Sequence, residues 1–215
     1  AGLTAGDSSG SGNNGTLTNG PIWTTGKIGT GAISFDGMDD YVDAVNNATL
    51  NITGDLTLSV WVKFDTLPTS GSASYPRIIQ KGTSESAKSY ALDIASPSPL
   101  VDLRLNISST VYSIKGTTAL STGQWHHVVG VREGTSARVY LNSTQDGSGV
   151  VGAGTIDTNT LSFYIGESVN NVDGAVDGLI DEVRVYNRAL SATEVTELYN
   201  YTGATSPPDT TPPVL

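Results

Sequence analysis

The sequence predicts an all-β domain, a sandwich or barrel of short strands that ends with one short helix. Two observations carry this prediction. Short segments rich in β-branched and aromatic residues alternate with clusters of Gly, Ser, Asn and Pro, and one segment near the C-terminus has apolar residues at helical spacing. The chain length of 215 residues suits a single large all-β domain.

The predicted strands follow one another, separated by turns, over residues 31–187. Residues 56–63 show the pattern most clearly, because apolar residues at every second position would face a core while the residues between them face outward. The Gly-rich stretch DGSGVVGAG, residues 146–154, predicts a reversal between strands. The predicted strand segments are GAISFDG, DYVDAV, DLTLSVWVKF, PRIIQKG, SYALDIA, LVDLRLNI, TVYSIKG, WHHVVGVR, ARVYLN, LSFYIGE and VDGLIDEVRVYN.

One helix is predicted from Ser191 to about Tyr201. Ser191 and Glu194 have the spacing of a capping box, in which the side chain of each residue accepts a hydrogen bond from the backbone amide of the other. The helix is expected to be a short lid on the edge of the sandwich, without a functional role. The domain is predicted to span residues 1–202, and the Pro- and Thr-rich residues 203–215 are predicted to form a linker to a following module.

Composition and charge exclude several classes of function. The 11 basic and 21 acidic residues give a net charge of -10, which would repel nucleic acid and anionic membrane surfaces. The chain has no cysteine, so disulfides, thiolate metal sites and Cys nucleophiles are excluded. No run approaches about 18 apolar residues, the length of a membrane span, so membrane insertion is not expected.

Six sequence blocks follow one another in an order that makes a chance match improbable. They are the stretch from DSSGSGNNG to FDGMDDYVDA, then DLTLSVWVKF, RIIQKG, TGQWHHVVGVREGTSARVYLN, YIGE and DGLIDEVRVYNRALSATEVTELY. Over residues from about 7 to 201, this order resembles the laminin-G-like domains of the concanavalin A-like lectin/glucanase superfamily. The resemblance implies a jelly-roll sandwich of two antiparallel sheets, one concave and one convex. Members usually begin with a strand of the form LVAYWPFDE, whose absence here predicts a missing edge strand or one supplied from elsewhere.

The resemblance does not extend to the catalytic residues of the superfamily's glucanases. Those enzymes carry paired carboxylates in an E-x-D-x-x-E pattern, because glycoside hydrolysis needs an acid and a nucleophile on the same side of a groove. This pattern does not occur in the sequence, so the chain is predicted not to be an enzyme. The neighbours His126 and His127 would point to opposite faces of a strand, and so would Asp181 and Glu182, so neither pair is expected to act together at one site.

Two loops offer oxygen ligands of the kind that calcium prefers. AGDSSGSGNNGT and FDGMDD combine carboxylate and amide side chains with flexible backbone carbonyls. The resemblance implies a structural calcium on the convex side, held by the carboxylates of Asp7 and Asp181 and by carbonyl oxygens of the loops around Asn14 and Gly37. The alternatives are that the first loop is only a turn and that Asp181 caps neighbouring backbone amides.

The resemblance also implies a ligand site, because lectins of this superfamily bind sugars on the concave sheet and its bordering loops. Arg77, Lys81, Arg104 and Glu167 are predicted to bind the ligand, since their segments follow the family's groove-facing strands. The alternative is that these charged side chains only decorate a solvated sheet face.

These observations predict a non-catalytic binding module of a larger secreted or cell-surface protein, with a structural calcium and with carbohydrate as its ligand. The alternative is a structural or adhesive domain that makes protein–protein contacts in a surface assembly and has no sugar site. Neither nucleic acid nor a membrane interior is expected as a partner.

Overall fold

Two antiparallel β-sheets pack face to face in the computed structural model, which describes residues 2–68, 75–83, 87–167 and 174–203. The strands in chain order are β1 (Thr4–Ala5), β2 (Gly15–Thr18), β3 (Ile22–Thr24), β4 (Ala32–Asp36), β5 (Tyr41–Ala44), β6 (Leu56–Phe64), β7 (Arg77–Lys81), β8 (Tyr90–Ile94), β9 (Val101–Ile107), β10 (Thr110–Lys115), β11 (Trp125–Glu133), β12 (Ser136–Leu141), β13 (Thr144–Val150), β14 (Phe163–Ile165) and β15 (Asp177–Tyr186). A short 3-10 helix spans Ala48–Leu50, and the α-helix α1 (Ala192–Asn200) follows β15. The predicted all-β sandwich of two antiparallel sheets is confirmed.

The strand order interleaves early and late parts of the chain. The eight-stranded sheet has the order β1-β2-β5-β14-β7-β8-β9-β10, and the seven-stranded sheet has the order β13-β12-β11-β6-β15-β4-β3. β14 therefore lies beside β5, and β15 lies beside β4 with Asp177 opposite Asp36. This topology brings the loops after β4 and after β14 to the same end of the sandwich.

The core lies between the two sheets and follows the alternation in the sequence. On β6, every second side chain from Leu56 to Phe64 is fully buried in this core. In the eight-stranded sheet one core-facing row crosses five strands in register, and its members are Ile165, Ile79, Leu92, Leu103 and Ile114. The residues between them face away from the core, because successive side chains of a strand point to opposite faces.

The Gly-rich stretch after β12 was predicted to be a chain reversal, but most of it belongs to a strand. Residues 144–150 form the edge strand β13, which pairs with β12. Two of its glycines let the edge of the other sheet approach closely: a Cβ on Gly147 would stand 2.2 Å from the carbonyl oxygen of Lys115, and one on Gly149 would stand 2.7 Å from Ile114. Glycine is used here for close approach between the sheets rather than for a turn.

The predicted helix is present, and its capping box is complete. The Ser191 side chain accepts from the amide of Glu194 at 3.3 Å, and the Glu194 side chain accepts from the amide of Ser191 at 2.7 Å. The helix was expected on the edge of the sandwich, but it lies on the outer face of the seven-stranded sheet. There the Tyr199 ring stacks on the Trp61 ring of the central strand β6, with 5.4 Å between the ring centres. Among the described residues, no helix is both long and apolar enough for a membrane span.

The N-terminal part of the chain contributes three strands that the sequence pattern did not indicate, β1, β2 and β3. The edge of the eight-stranded sheet is the two-residue strand β1, which pairs with β2. The indole nitrogen of Trp23 on β3 donates to the carbonyl of Gly2 at 3.0 Å and so links the adjacent edges of both sheets. Residues 204–215 of the predicted linker lie outside the described residues.

Candidate functional site

The outer face of the eight-stranded sheet carries a group of charged side chains around Asp93. The backbone register sets this group, because Arg77 on β7 and Asp102 on β9 both lie directly opposite Asp93 on β8. Asp93 Oδ2 accepts from Arg77 at 3.0 Å and lies 3.4 Å from the Lys88 ammonium and 3.5 Å from Arg104 Nε. We call these five residues the Asp93 cluster.

Two further contacts hold Arg104 in place at the accessible rim of the Asp93 cluster. Its Nε donates to Asp102 Oδ2 at 3.1 Å, and the Ser113 hydroxyl donates to the other oxygen of Asp102 at 2.7 Å. The Arg104 guanidinium lies 5.8 Å from the centre of the Tyr75 ring, within the range of a cation–π contact. The Arg104 side chain is 16% exposed, whereas Asp93 and Lys88 are fully buried, so a ligand would meet Arg104 and Tyr75 first.

The electrostatics of the cluster depend on balanced charges. Burial raises the pKa of Asp93 above its ordinary value, and the positive charges of Lys88, Arg77 and Arg104 act against that rise. Asp93 Oδ1 is buried and accepts no hydrogen bond among the described residues. The sequence analysis missed Asp93, although a signal was present. Leu92 and Ile94 are core residues, so the residue between them must face away from the core. A charged side chain that is buried on that outer face needs partners of opposite charge.

The structure does not place Lys81 with Arg77 and Arg104. The register of β7 against β8 shifts between Arg77 and Ile79, so an extra residue separates the two basic side chains and puts them on opposite faces of the sheet. Lys81 shares a row with the core residues Phe163 and Tyr90. The prediction that Lys81 faces the same groove as Arg77 is therefore wrong.

Lys81 instead forms a buried polar contact under the loops that border the sheet. Its ammonium donates to the side-chain oxygens of Asn46 and Asn159, each at 3.0 Å, and to the carbonyl of Leu161. Burial lowers the pKa of Lys81 to about 8. These contacts fasten two loops to β7 and leave the ammonium inaccessible to a ligand.

Glu167 also lies apart from the Asp93 cluster, at the end of β14. Three aspartates of the loop after β4, Asp36, Asp39 and Asp40, have ligand oxygens that lie within 4.8 Å of one another. Burial and the charges of Asp39, Asp36 and Asp40 raise the pKa of Glu167 to about 7. Of the four predicted ligand-binding residues, only Arg77 and Arg104 come together.

The predicted calcium ligands are brought together only in part. Asp7 and Asp181 line one cavity of about 140 Å³ between the sheets, at the end formed by β1 and β3, which we call the Asp7–Asp181 cavity. Gly37 is not among the residues that line it and lies instead against Asp177, where an added Cβ would come within 2.7 Å. Asn14 Oδ1 accepts the amide of Asp7 at 2.9 Å. The four predicted ligands therefore do not converge on one point.

Asp7 and Asp181 already accept backbone hydrogen bonds. Both oxygens of Asp7 accept amides, from Ser9 and Asn13, each at 2.8 Å. Although burial raises it, these hydrogen bonds hold the pKa of Asp7 below its usual value. Asp181 accepts the amides of Ile28 and Glu182, each at 2.9 Å. This arrangement matches the alternatives that the first loop is a turn and that Asp181 caps neighbouring backbone amides, although carboxylate oxygens keep a second lone pair for a metal.

The side chains of Asp181 and Glu182 were expected to point to opposite faces of β15, but they do not. The register against β6 shifts between Asp181 and Arg184, and Glu182 has a φ of 51°, the left-handed conformation of a bulge residue. As a result both acids line the Asp7–Asp181 cavity. Glu182 forms an ion pair with Arg184, and Asp181 caps amides, so each carboxylate has a structural partner.

The two adjacent histidines do face opposite sides of β11, as predicted. His126 is opposite the core residue Val62, whereas His127 is opposite Trp61 on the outer face. His127 Nε2 lies 2.9 Å from the Ser59 hydroxyl, and its ring lies 5.1 Å from the Trp61 ring. Burial, together with the charge of Arg184, lowers the pKa of His127 to about 3. His127 is thus a neutral packing residue under helix α1.

A laminin-G family model described as "Concanavalin A-like lectin/glucanases superfamily" matches residues 36–196. No curated protein sequence matches this chain.

Solved structures with the same fold include several binding domains. Domain 4 of AbnA, an extracellular GH43 arabinanase from Geobacillus stearothermophilus, was solved in complex with arabinotriose. Its sequence is 26% identical, and the two structures superpose with a TM-score of 0.69 over 86% of this chain and 88% of the arabinanase domain. The binding domain of Paraclostridial Mosquitocidal Protein 1 is 16% identical, with a TM-score of 0.70 over 92% of this chain and 51% of that chain. A Trypanosoma rangeli sialidase is 16% identical, with a TM-score of 0.62 over 86% of this chain and 29% of that chain. The last two likenesses show the fold alone.

Proposed function

Because the chain belongs to the concanavalin A-like lectin/glucanases superfamily, we propose that it is a non-catalytic carbohydrate-binding module of an extracellular protein. Its binding surface is the outer face of the eight-stranded sheet, where Arg104 and Tyr75 stand at the rim of the Asp93 cluster. The arabinanase domain supports both parts of this proposal, since it belongs to an extracellular protein and was solved with arabinotriose.

The Asp93 cluster is the observation that carries the proposal. Its ion pairs fix the guanidinium groups of Arg77 and Arg104 before any ligand arrives, so little side-chain entropy is lost on binding. An immobilised guanidinium presents several N–H donors in a planar fork, which suits the hydroxyl oxygens of a sugar. The Tyr75 ring next to Arg104 adds an aromatic surface on which a sugar ring can pack.

The non-catalytic part of the proposal rests on the carboxylates. The sequence lacks the E-x-D-x-x-E pattern of the superfamily's glucanases, and the adjacent acids Asp181 and Glu182 are engaged with backbone amides and with Arg184. Asp93 and Asp102 are likewise held by arginines rather than exposed as an acid and a nucleophile.

Carbohydrate binding is tested with a glycan array followed by isothermal titration of arabinotriose and of the array hits. The Arg104→Ala substitution should weaken binding of the best ligand at least about tenfold, which corresponds to about 1.4 kcal/mol. The matched control is Arg138→Ala, which removes a part-exposed arginine from the other sheet, where it pairs with Glu133. This control should bind like the wild type.

Two outcomes would count against the proposed binding surface. The first is an array without hits together with no heat from arabinotriose. The second is a ligand that binds equally well to the wild type and to Arg104→Ala, because the bound sugar would then lie elsewhere on the domain.

A structural calcium at the Asp7–Asp181 cavity remains part of the proposal. If a calcium ion is held there, the domain should melt several degrees higher in calcium than in chelator, because an ion that binds only the folded state stabilises it by mass action. Asp7→Asn should abolish this difference. An equal calcium effect in the wild type and in Asp7→Asn would show that Asp7 is not a ligand.

A further inference from the structure

A pocket lies at the end of the sandwich where β6 begins and β15 ends. Its volume is about 320 Å³, within the range of about 300–1,000 Å³ that small-molecule sites occupy. Residues 48–54, which precede β6, form one wall, and Asn187 after β15 forms the other. The two walls meet because Tyr186 of β15 lies directly opposite Thr57 of β6. We call this site the Asn51–Asn187 pocket.

Buried side chains of the core hold the first wall of the pocket in place. The Tyr90 hydroxyl is fully buried and donates to the carbonyl of Leu50 at 2.8 Å. The Arg132 guanidinium is also buried and donates to the carbonyl of Gly54 at 2.6 Å. The wall therefore has its shape before any ligand arrives, which lowers the entropy cost of binding.

Two amide side chains of the pocket keep unused hydrogen-bonding groups. Asn51 Oδ1 is buried and accepts no hydrogen bond in the ranges that the structure describes, while its Nδ2 donates to Asn46 at 3.4 Å. The side chain of Asn187 is exposed and has no hydrogen-bond partner in those ranges. Buried acceptors are normally paired, so a donor from solvent or from a ligand is expected to reach Asn51 Oδ1.

The chemistry of the walls favours a neutral ligand with several hydroxyl groups. None of the described residues that line the pocket is charged, so a charged ligand would lose its hydration there without an ion pair in return. A hydroxyl both donates and accepts, so it can match either end of the Asn51 and Asn187 amides and the hydroxyl of Thr53. Protein partners usually insert an apolar or arginine anchor, which these polar walls do not suit.

We propose that the Asn51–Asn187 pocket binds a neutral sugar unit and is a second carbohydrate site of this domain. It does not depend on the surface proposed above, because it borders β6 and β15 of the seven-stranded sheet, whereas Arg104 lies on β9 of the eight-stranded sheet. A module with two separate sites can hold two positions of a polysaccharide at once, so its overall affinity exceeds that of either site.

The test is an NMR titration of the isotope-labelled 215-residue chain with arabinotriose, maltotriose and lactose. At least one of these sugars should shift the backbone amide signals of Gly54 and Asn187. Asn51→Leu replaces the amide by an apolar group of similar shape and should weaken this binding at least about tenfold. Asn187→Leu should weaken it in the same direction. The matched control Asn200→Leu changes an exposed asparagine at the end of α1 and should leave the titration unchanged.

Two further measurements separate this site from a damaged fold and from the surface around Arg104. Asn51→Leu should melt close to the wild-type temperature, because Asn51 Oδ1 has no hydrogen bond within the described chain to lose. If this variant does not fold, Asn187→Leu decides the matter alone. In Arg104→Ala the signals of Gly54 and Asn187 should shift as in the wild type.

Three results would overturn the inference. The first is that none of the three sugars shifts the signals of Gly54 and Asn187, because the pocket then holds only water. The second is that Asn51→Leu and Asn187→Leu both bind like the wild type. The third is that the shifts are confined to residues around Arg104, which would leave the proposed function standing.

Discussion

Asp93→Asn is expected to destabilise the domain by about 3–5 kcal/mol, the range observed when one partner of a buried ion pair is removed. Asn has nearly the volume of Asp, so the substitution leaves no cavity and the effect is electrostatic. Without the carboxylate, the charges of Arg77 and Lys88 would remain at buried positions next to Arg104 without a shared counter-ion. Urea denaturation of the wild type and the variant measures the difference in free energy of unfolding.

Asp65→Asn is the control for loss of one negative charge at an exposed position. Surface substitutions of this kind usually change stability by less than about 0.5 kcal/mol. If Asp93→Asn and Asp65→Asn unfold at the same urea concentration, Asp93 does not hold the three cations in the way the distances indicate. The same pair of variants serves the binding proposal, because a loosened Arg104 should also weaken sugar binding.

Acidification is expected to destabilise the domain through His127. Its pKa is about 3 in the folded chain, against an ordinary value of 6.5, because the ring is buried under α1 and lies near the charge of Arg184. Between these two values the unfolded chain binds a proton that the folded chain does not, so stability is present above 6.5 and is lost as the pH falls through the window. The loss is about 1.4 kcal/mol for each pH unit, or about 2 kcal/mol between pH 7 and pH 5.

His127→Gln isolates this contribution, because glutamine does not titrate and can still place an amide near the Ser59 hydroxyl. The free energy of unfolding of both proteins is measured in urea at pH 7 and at pH 5. The variant is expected to be less stable at pH 7, since the ring contacts with Trp61 and Tyr199 are lost, but its stability should fall less on acidification. Equal losses in the two proteins would mean that His127 is not kept neutral by the fold.

Features that depend on repeated local patterns could be predicted from the sequence. The alternation of Leu56, Leu58 and Val60 fixed which face of β6 enters the core, and Ser191 and Glu194 marked the start of the helix. Both signals arise within a few residues, so they do not depend on which strands become neighbours.

Features that depend on single extra residues could not be predicted in this way. The register shift after Arg77 separates it from Lys81, and the left-handed conformation of Glu182 turns it toward the same cavity as Asp181. In each case period-two counting assigns the wrong face from the bulge onward, because one inserted residue reverses all later orientations. The glycines of β13 predict a turn when only the sequence is considered, because their use for close contact with β10 depends on the other sheet.

The candidate sites show the same limit. The family resemblance predicts Arg77 and Arg104, but their common partner Asp93 follows only from strand pairing between β7, β8 and β9. Glu167 lies near enough to Asp36, Asp39 and Asp40 for their charges to act on it, because the interleaved strand order places β14 beside β5. No sequence spacing between residues 40 and 167 could have indicated that proximity.

The glycines of β13 give the sandwich an uneven mechanical character. At that edge Gly147 and Gly149 let β13 approach β10 closely, Gly147 against the carbonyl of Lys115 and Gly149 against the side chain of Ile114, so the two sheets are braced against each other. At the opposite edge, where β1 is only two residues long, the Asp7–Asp181 cavity leaves part of the interface without packed atoms and without their dispersion attraction. The β13 edge is therefore expected to resist separation of the two sheets more than the β1 edge, so hydrogen exchange should report local opening first at the β1 edge.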